Sequence, residues 1–164
     1  MGSRRRLKAQ ADRTTRIVQQ ALAHVSEPGS VENGLEYEYE RENSRRWRAR
    51  YDLTRGRLLA TSVRLEEYRL TCDQVVKPGF LYKPTNHLIF VPVLEMKSDS
   101  NFHRRAEEAE RLLMRCVREN PNTPWAWLAQ RELDYGLGIN VRQHTITFVV
   151  MPPSRTGQPR LPKL

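Results

Sequence analysis

Nine positions between Trp47 and Val75 follow one another at intervals of four and three residues without a break: Trp47, Tyr51, Thr54, Leu58, Thr61, Leu65, Tyr68, Cys72 and Val75. This spacing is that of one face of an α-helix, and a β-strand would not require it. At a rise of about 1.5 Å per residue, such a helix is roughly 45 Å long, which exceeds most helices of globular domains. Because the rest of its circumference is mostly polar, we expect this face to be buried against other helices.

Shorter amphipathic patterns on either side of this helix supply the expected partners. Residues 1–30 contain a first helix that ends before a Pro-Gly pair, and residues 101–119 contain a third. A fourth is predicted over residues 124–133, with Thr123 as its N-cap and a proline in its first turn. Gly56 interrupts the long helix, and we interpret it as a point of close approach by another helix backbone.

These patterns predict an all-α fold, an antiparallel helical bundle around one long central helix, with residues 31–140 as the bundle domain. Residues 88–93 are apolar, but Pro92 restricts a strand to a sheet edge and no neighbouring strand pattern is evident. We therefore expect an extended segment laid across the helices. Residues 141–164 are predicted to be an extended or disordered tail, in which residues 145–150 are either a short strand or simply extended.

The segment from about 101 to 135 resembles a tetratricopeptide-type helical hairpin. It reads as a helix, a tight proline turn, and a second helix that opens with aromatic and small residues. Alanine at packing positions lets the two helices of such a hairpin approach closely. A second copy at a period of about 34 residues is not visible, so the resemblance covers one unit and does not predict a solenoid.

The chain is basic, with 28 Lys and Arg against 19 Asp and Glu and a net charge of +9. Arg45, Arg46, Arg48 and Arg50 form the densest cluster, although they fall on several faces of the predicted helix. A nucleic-acid-associated helical protein is therefore the alternative prediction. No apolar run reaches the 18 or so residues that a membrane span needs, and no apolar signal segment follows Met1. We expect a cytoplasmic protein that does not enter the membrane.

Motifs that carry chemistry are not evident. The sequence contains no phosphate loop, dinucleotide fingerprint, nucleophile elbow or zinc pattern. The four histidines are far apart in the sequence, and no Glu-x-x-His pair suggests a di-iron site. Cys72 and Cys116 fall on apolar helix faces, which favours buried, reduced thiols, and a disulfide between them remains an alternative. We expect no catalysis, no metal and no cofactor.

Two tryptophans near the start of the fourth helix are the strongest candidates for contact with a partner. Because Trp125 and Trp127 are two residues apart, they cannot share one helix face, and we expect one to pack inward and the other to point outward. Aromatic and arginine side chains dominate the energetics of protein interfaces. The predicted partner-binding residues are Trp125, Trp127, Tyr37, Tyr39, Arg45 and Arg48.

Three strings in this chain resemble a known family. They are Trp-Arg-Ala-Arg-Tyr-Asp-Leu at residues 47–53, Thr-Asn-His at 85–87, and Asn-Pro-Asn-Thr-Pro-Trp-Ala at 120–126. Over about residues 36–140 the chain is similar to the C-terminal helical region of bacterial proteins with a von Willebrand factor type A domain. The resemblance implies a non-enzymatic interaction or scaffold segment, whose partner is another protein or the type A domain of a longer parent chain. The Asp-x-Ser-x-Ser metal motif of that domain is absent, so no Mg²⁺ site is implied.

Overall fold

The computed structural model describes residues 2–25, 39–82 and 85–147, and it is mostly helical with one small antiparallel sheet. Tyr37 and residues 148–164 of the predicted tail lie outside the described residues. No helix of the described part is both long enough and apolar enough to cross a bilayer. In chain order the elements are α1 (Gly2–Val25), α2 (Arg45–Val76), β1 (His87–Val93), α3 (Ser100–Glu119), α4 (Pro124–Leu133) and β2 (Gly138–His144).

The predicted long helix is confirmed as one element of 32 residues, α2. Ser44 is its N-cap, and the Ser44 hydroxyl accepts a hydrogen bond of 3.3 Å from the backbone N–H of Trp47. The helix ends at Val76, shortly before Pro78, which cannot continue it. Gly79 then adopts a φ of 78°, a left-handed conformation that favours glycine.

The prediction of which face of α2 is buried is wrong over its N-terminal half. Trp47 is 38% exposed there, whereas Ala49 and Ala60 on another face are fully buried. Small residues line the buried face because α3 packs closely against it. A Cβ atom on Gly56 would be 2.8 Å from Cγ of Leu113, a residue of α3. The same Cβ atom would lie 3.4 Å from the backbone oxygen of Ala109, which confirms the prediction that another helix backbone approaches Gly56 closely. The buried residues of α2 are Ala49, Asp52, Leu53, Gly56, Leu59, Ala60, Ser62, Val63, Glu67, Thr71, Cys72 and Val75.

Helix α3 runs antiparallel to α2 and joins it through both apolar and polar contacts. Glu108 accepts a 2.6 Å hydrogen bond from Arg55. About two turns further along α3, the Cys116 thiol lies 3.5 Å from the carbonyl oxygen of Ala49. The Glu108 carboxylate of α3 therefore reaches across to α2. One cluster of the core between these helices contains Ala49, Leu53, Leu113, Cys116 and Ala129.

Helix α4 begins and ends where the sequence predicts. The Thr123 hydroxyl accepts a hydrogen bond of 3.3 Å from the N–H of Ala126, and Pro124 occupies the first turn, where its missing N–H is not needed. Near the end of α4, Glu132 accepts hydrogen bonds from Arg57 at 3.0 Å and from Arg64 at 2.8 Å. These two ion pairs hold α4 along α2.

Helix α1, which lies within the predicted 1–30 segment, packs antiparallel along the C-terminal half of α2. Lys8 donates a 2.5 Å hydrogen bond to Asp73 near the end of α2. Further along α1, Thr15 and Val18 line the same small crevice as Leu65. Because α1 covers this half of α2, the predicted face is at least half-buried here, in contrast to its N-terminal half.

The prediction that residues 88–93 do not join a sheet is wrong. Strand β1 pairs antiparallel with β2, and Pro92 lies opposite Ile139 in the register. The 44 residues from 94 to 137 separate the two strands, so no local pattern pairs them. A Cβ atom on Gly138 would lie 1.8 Å from the carbonyl oxygen of Glu95. Glycine is therefore required at the start of β2, where the backbone that follows β1 passes close to it. Residues 141–144 of the predicted tail belong to β2.

The sheet packs on α2, and the connection from β1 to α3 is anchored there as well. The rings of Tyr68 and Phe90 lie 4.9 Å apart between their centroids. The fully buried carboxylate of Glu67 accepts hydrogen bonds of 2.8 Å from the backbone N–H groups of both Lys97 and Ser98. A buried carboxylate needs such hydrogen-bond donors, so Glu67 fixes the course of this connection.

Both cysteines are buried free thiols, as the sequence predicts. Burial raises the pKa of the Cys116 thiol from 9.0 to about 11, with smaller contributions from Asp52 and Glu119. The thiol of the unfolded chain ionises near the lower value, and that of the folded chain ionises near the higher one. The unfolded state therefore releases its proton first as the pH rises.

We accordingly expect the free energy of unfolding to fall as the pH rises from 9.0 towards 11. Urea titrations across this range measure the effect. The Cys116→Ala variant lacks the ionisable group, so its free energy of unfolding should fall less steeply over the same range. An equally steep fall in that variant would contradict this account of the thiol.

Candidate interaction surfaces

The two tryptophans of α4 point in different directions. Trp125 is partly buried against the core cluster of α2, α3 and α4, with the guanidinium of Arg46 at 5.7 Å from its ring centroid. Trp127 is 64% exposed, and the guanidinium of Arg131 lies 5.6 Å from its ring centroid. The prediction that one tryptophan packs inward and the other outward is confirmed.

Tyr39 is only 5% exposed and belongs to a buried polar cluster instead of an open surface. Its hydroxyl donates a 2.9 Å hydrogen bond to the fully buried carboxylate of Asp52. Arg115 of α3 donates two hydrogen bonds to the same carboxylate, at 2.5 and 3.0 Å, and its guanidinium lies 4.0 Å from the centroid of the Tyr39 ring. The tyrosine therefore holds α2 and α3 together and offers no face to a partner.

Electrostatics within this cluster favour the charged arginine and the neutral tyrosine. Burial raises the pKa of Tyr39, and its hydrogen bond to Asp52 raises the pKa further. Burial alone would lower the pKa of Arg115, but the hydrogen bond and charge of Asp52 outweigh it and raise the pKa. Asp52 lies in the string at residues 47–53 that carries the family resemblance, and its role here is structural.

Arg45 and Arg48 line a cleft where the beginning of α2 meets the end of α3. The cleft has a volume of about 280 Å³, and Glu119 and Asn120 form its other wall. Arg45 is exposed, whereas Arg48 is half-buried, with its guanidinium 5.7 Å from the Tyr39 ring centroid. Among the described residues that line the cleft, two arginines stand against one glutamate, and this part of the lining suits an acidic group of a partner.

A second open surface lies on the first half of α2, and it was expected to be buried. The rings of Trp47 and Tyr51 are stacked, with centroids 5.6 Å apart and planes 10° from parallel. Arg55 donates a 2.6 Å hydrogen bond to the Tyr51 hydroxyl. These residues form a depression of about 250 Å³, which we name the α2 aromatic surface, lined by Trp47, Arg50, Tyr51, Thr54 and Arg55.

The sequence contained the signal for this surface, because the four-three spacing places Trp47, Tyr51 and Thr54 on one face. What the spacing could not indicate is that α1 covers only the later part of that face. Stacked rings and guanidinium groups can bind flat apolar groups, carboxylates and phosphates. The rings and guanidinium groups of the α2 aromatic surface are therefore suited to binding such groups.

The described residues contain no group of three or more His, Cys, Asp or Glu side chains that could hold a metal ion. The architecture and surfaces define a mostly helical protein with a small appended sheet and arginine-flanked aromatic side chains. No protein-family model matches this chain, and comparisons with curated proteins and with solved structures give no match either.

Proposed function

We propose that this chain is a non-enzymatic protein-interaction module, in which exposed Trp127 is the main anchor for a partner protein. The observation that supports this most is the 64% exposure of a tryptophan on a helix whose other tryptophan lies against the core. Tryptophan is among the side chains that contribute most to binding when a partner covers them. Because Trp125 fixes α4 against α2, Trp127 is presented on a rigid support, and little entropy is lost on binding.

The family resemblance extends the proposal. The chain would be the accessory region of a longer cytoplasmic protein with a von Willebrand factor type A domain. Its partner would be that domain or another protein. The hairpin of α3 and α4 would act as a single tetratricopeptide-like unit, since Ala109, Ala126 and Ala129 are buried small residues of the kind that bring two helices together.

The test is an affinity purification from source lysate with the unchanged chain and the Trp127→Ala variant. We expect a defined protein to bind the unchanged chain saturably, and its affinity for the variant to be about 10–100-fold lower. Once this protein is purified, isothermal titration measures both affinities. The circular dichroism of the variant should be unchanged, because the lost side chain is mostly exposed.

Met114→Ala is the matched control, because Met114 is an exposed apolar side chain, at 55%, on the neighbouring helix α3. It should bind the same protein with unchanged affinity. The proposal fails if no protein binds saturably, or if Trp127→Ala binds as tightly as the unchanged chain.

Binding of single-stranded nucleic acid is the second candidate function, and the α2 aromatic surface favours it. Bases stack on aromatic rings, and nearby arginines such as Arg50 can contact phosphates. Affinity for an oligonucleotide would then fall steeply between about 50 and about 200 mM salt, because bound counterions are released. Under this alternative Trp47→Ala weakens binding while Trp127→Ala does not. If the oligonucleotide does not bind even at low salt, this candidate is eliminated.

A further inference from the structure

The sheet brings together two histidines that are far apart in the sequence. In the register of β1 and β2, His87 is directly opposite His144. The Cβ atoms of residues opposite each other in an antiparallel pair are about 4.5–5.5 Å apart, and their side chains project from the same face. The two histidines are 57 positions apart in the sequence (144 minus 87), which explains why no sequence spacing indicates this pair.

This pair lies on the face of the sheet that points away from the helices. Both histidines are exposed, as is their neighbour on the same face, Arg142. The alternate residues face inward, as the contact between Phe90 and Tyr68 demonstrates. Solvent and dissolved ions can therefore reach both imidazole rings.

The ends of the strands beside the two histidines are held by hydrogen bonds. The Asn86 side chain donates to the carbonyl oxygen of Ile146 at 2.8 Å, and it accepts from the Ile146 N–H at 2.8 Å. The backbone N–H of Asn86 also donates to the carbonyl oxygen of His144 at 3.2 Å. These bonds hold the two strands together next to the histidines, so the pair is positioned before any ligand arrives.

We propose that His87 and His144 form a two-ligand site for a divalent transition metal ion such as Zn²⁺. Imidazole nitrogen binds Zn²⁺ at about 2.0–2.1 Å, and two neighbouring rings can bind one ion while water completes a tetrahedral set. Neither strand contains Asp or Glu. Mg²⁺ and Ca²⁺ prefer oxygen ligands, so the site selects against them. The positive charge of Arg142 on the same face limits the affinity.

Isothermal titration with Zn²⁺ tests the site, using the unchanged chain and the His87→Gln and His144→Gln variants. We expect one ion per unchanged chain. Once one imidazole holds the ion, the second binds intramolecularly, so each variant should bind about 10–100-fold more weakly. His103→Gln is the matched control, because His103 is exposed on α3 and lies outside both strands, and this variant should keep the full affinity.

A second measurement guards against variants that fail to fold. Zn²⁺ should raise the thermal unfolding midpoint of the unchanged chain and of His103→Gln, because the metal binds only the folded pair. It should have little effect on either strand variant, although their midpoints without metal should match that of the unchanged chain. The inference is overturned if the strand variants bind Zn²⁺ as tightly as the unchanged chain, or if His103→Gln weakens binding equally.

Discussion

Replacing Asp52 with alanine is expected to lower the free energy of unfolding by about 3–5 kcal/mol. The carboxylate is fully buried and receives hydrogen bonds from Arg115 at 2.5 and 3.0 Å and from the Tyr39 hydroxyl at 2.9 Å. Its removal leaves a largely buried guanidinium without its counter-charge, and it also deprives the buried hydroxyl of its acceptor. Urea unfolding followed by circular dichroism measures the change.

The double variant Asp52→Ala, Arg115→Met identifies the unpaired charge as the cause. Because both charged partners are gone, the double variant should be more stable than Asp52→Ala alone. Glu107→Ala serves as the control, since Glu107 is exposed on α3, and it should change stability by less than about 0.5 kcal/mol. A loss below about 1 kcal/mol for Asp52→Ala would contradict the structural role of this cluster.

Replacing Leu113 with alanine should lower the free energy of unfolding by about 2–5 kcal/mol. Leu113 is 2% exposed, and its side chain packs against Gly56 of α2. The truncation loses apolar burial and leaves a cavity in the centre of the bundle. Chemical denaturation gives the value, and Met114→Ala, on the exposed side of α3, should have a small effect.

Gly56→Ala tests the same contact from α2, and the sign of its effect should depend on Leu113. In the unchanged chain the added Cβ atom meets Cγ of Leu113 at 2.8 Å, so the crowding should outweigh the gain in helix propensity of about 1 kcal/mol. In the Leu113→Ala background that clash is gone, and Gly56→Ala should stabilise the protein. Destabilisation in both backgrounds would mean that another contact requires the glycine.

Local signals predicted the helices well. Ser44 and Thr123 cap α2 and α4, and both helices begin directly after these residues. Such caps satisfy backbone groups within one turn, so a short stretch of sequence contains all the relevant information. The same is true of Gly56, because an isolated glycine in a helix interior is costly unless another chain needs the space.

Contacts between parts of the chain that are distant in sequence could not be predicted from local sequence patterns. The sheet depends on pairing residues around 90 with residues around 140, and Pro92 gave a misleading indication, since in a sheet of two strands each strand is an edge. The buried face of α2 was misjudged for a similar reason. Apolar spacing identified Trp47 and Tyr51 as one face, but close packing against α3 favoured the small residues of another face.

The candidate site was predicted in part. That Trp125 and Trp127 lie on different faces of α4 follows from helix geometry alone. The burial of Tyr39 does not, because it depends on a carboxylate of α2 and a guanidinium of α3 that meet only in the fold. Arg45 and Arg48 do line one cleft, together with the end of α3. Their contribution to partner binding stays a prediction.

Site-specific photo-cross-linking tests the central claim, that the outer face of α4 contacts a protein partner. A photoreactive aromatic amino acid placed at Trp127 should give one discrete cross-linked protein in nuclease-treated source lysate. The same group at Met114, which is also exposed, should give little or none of it. Equal cross-linking from both positions, or none from position 127, would contradict the account.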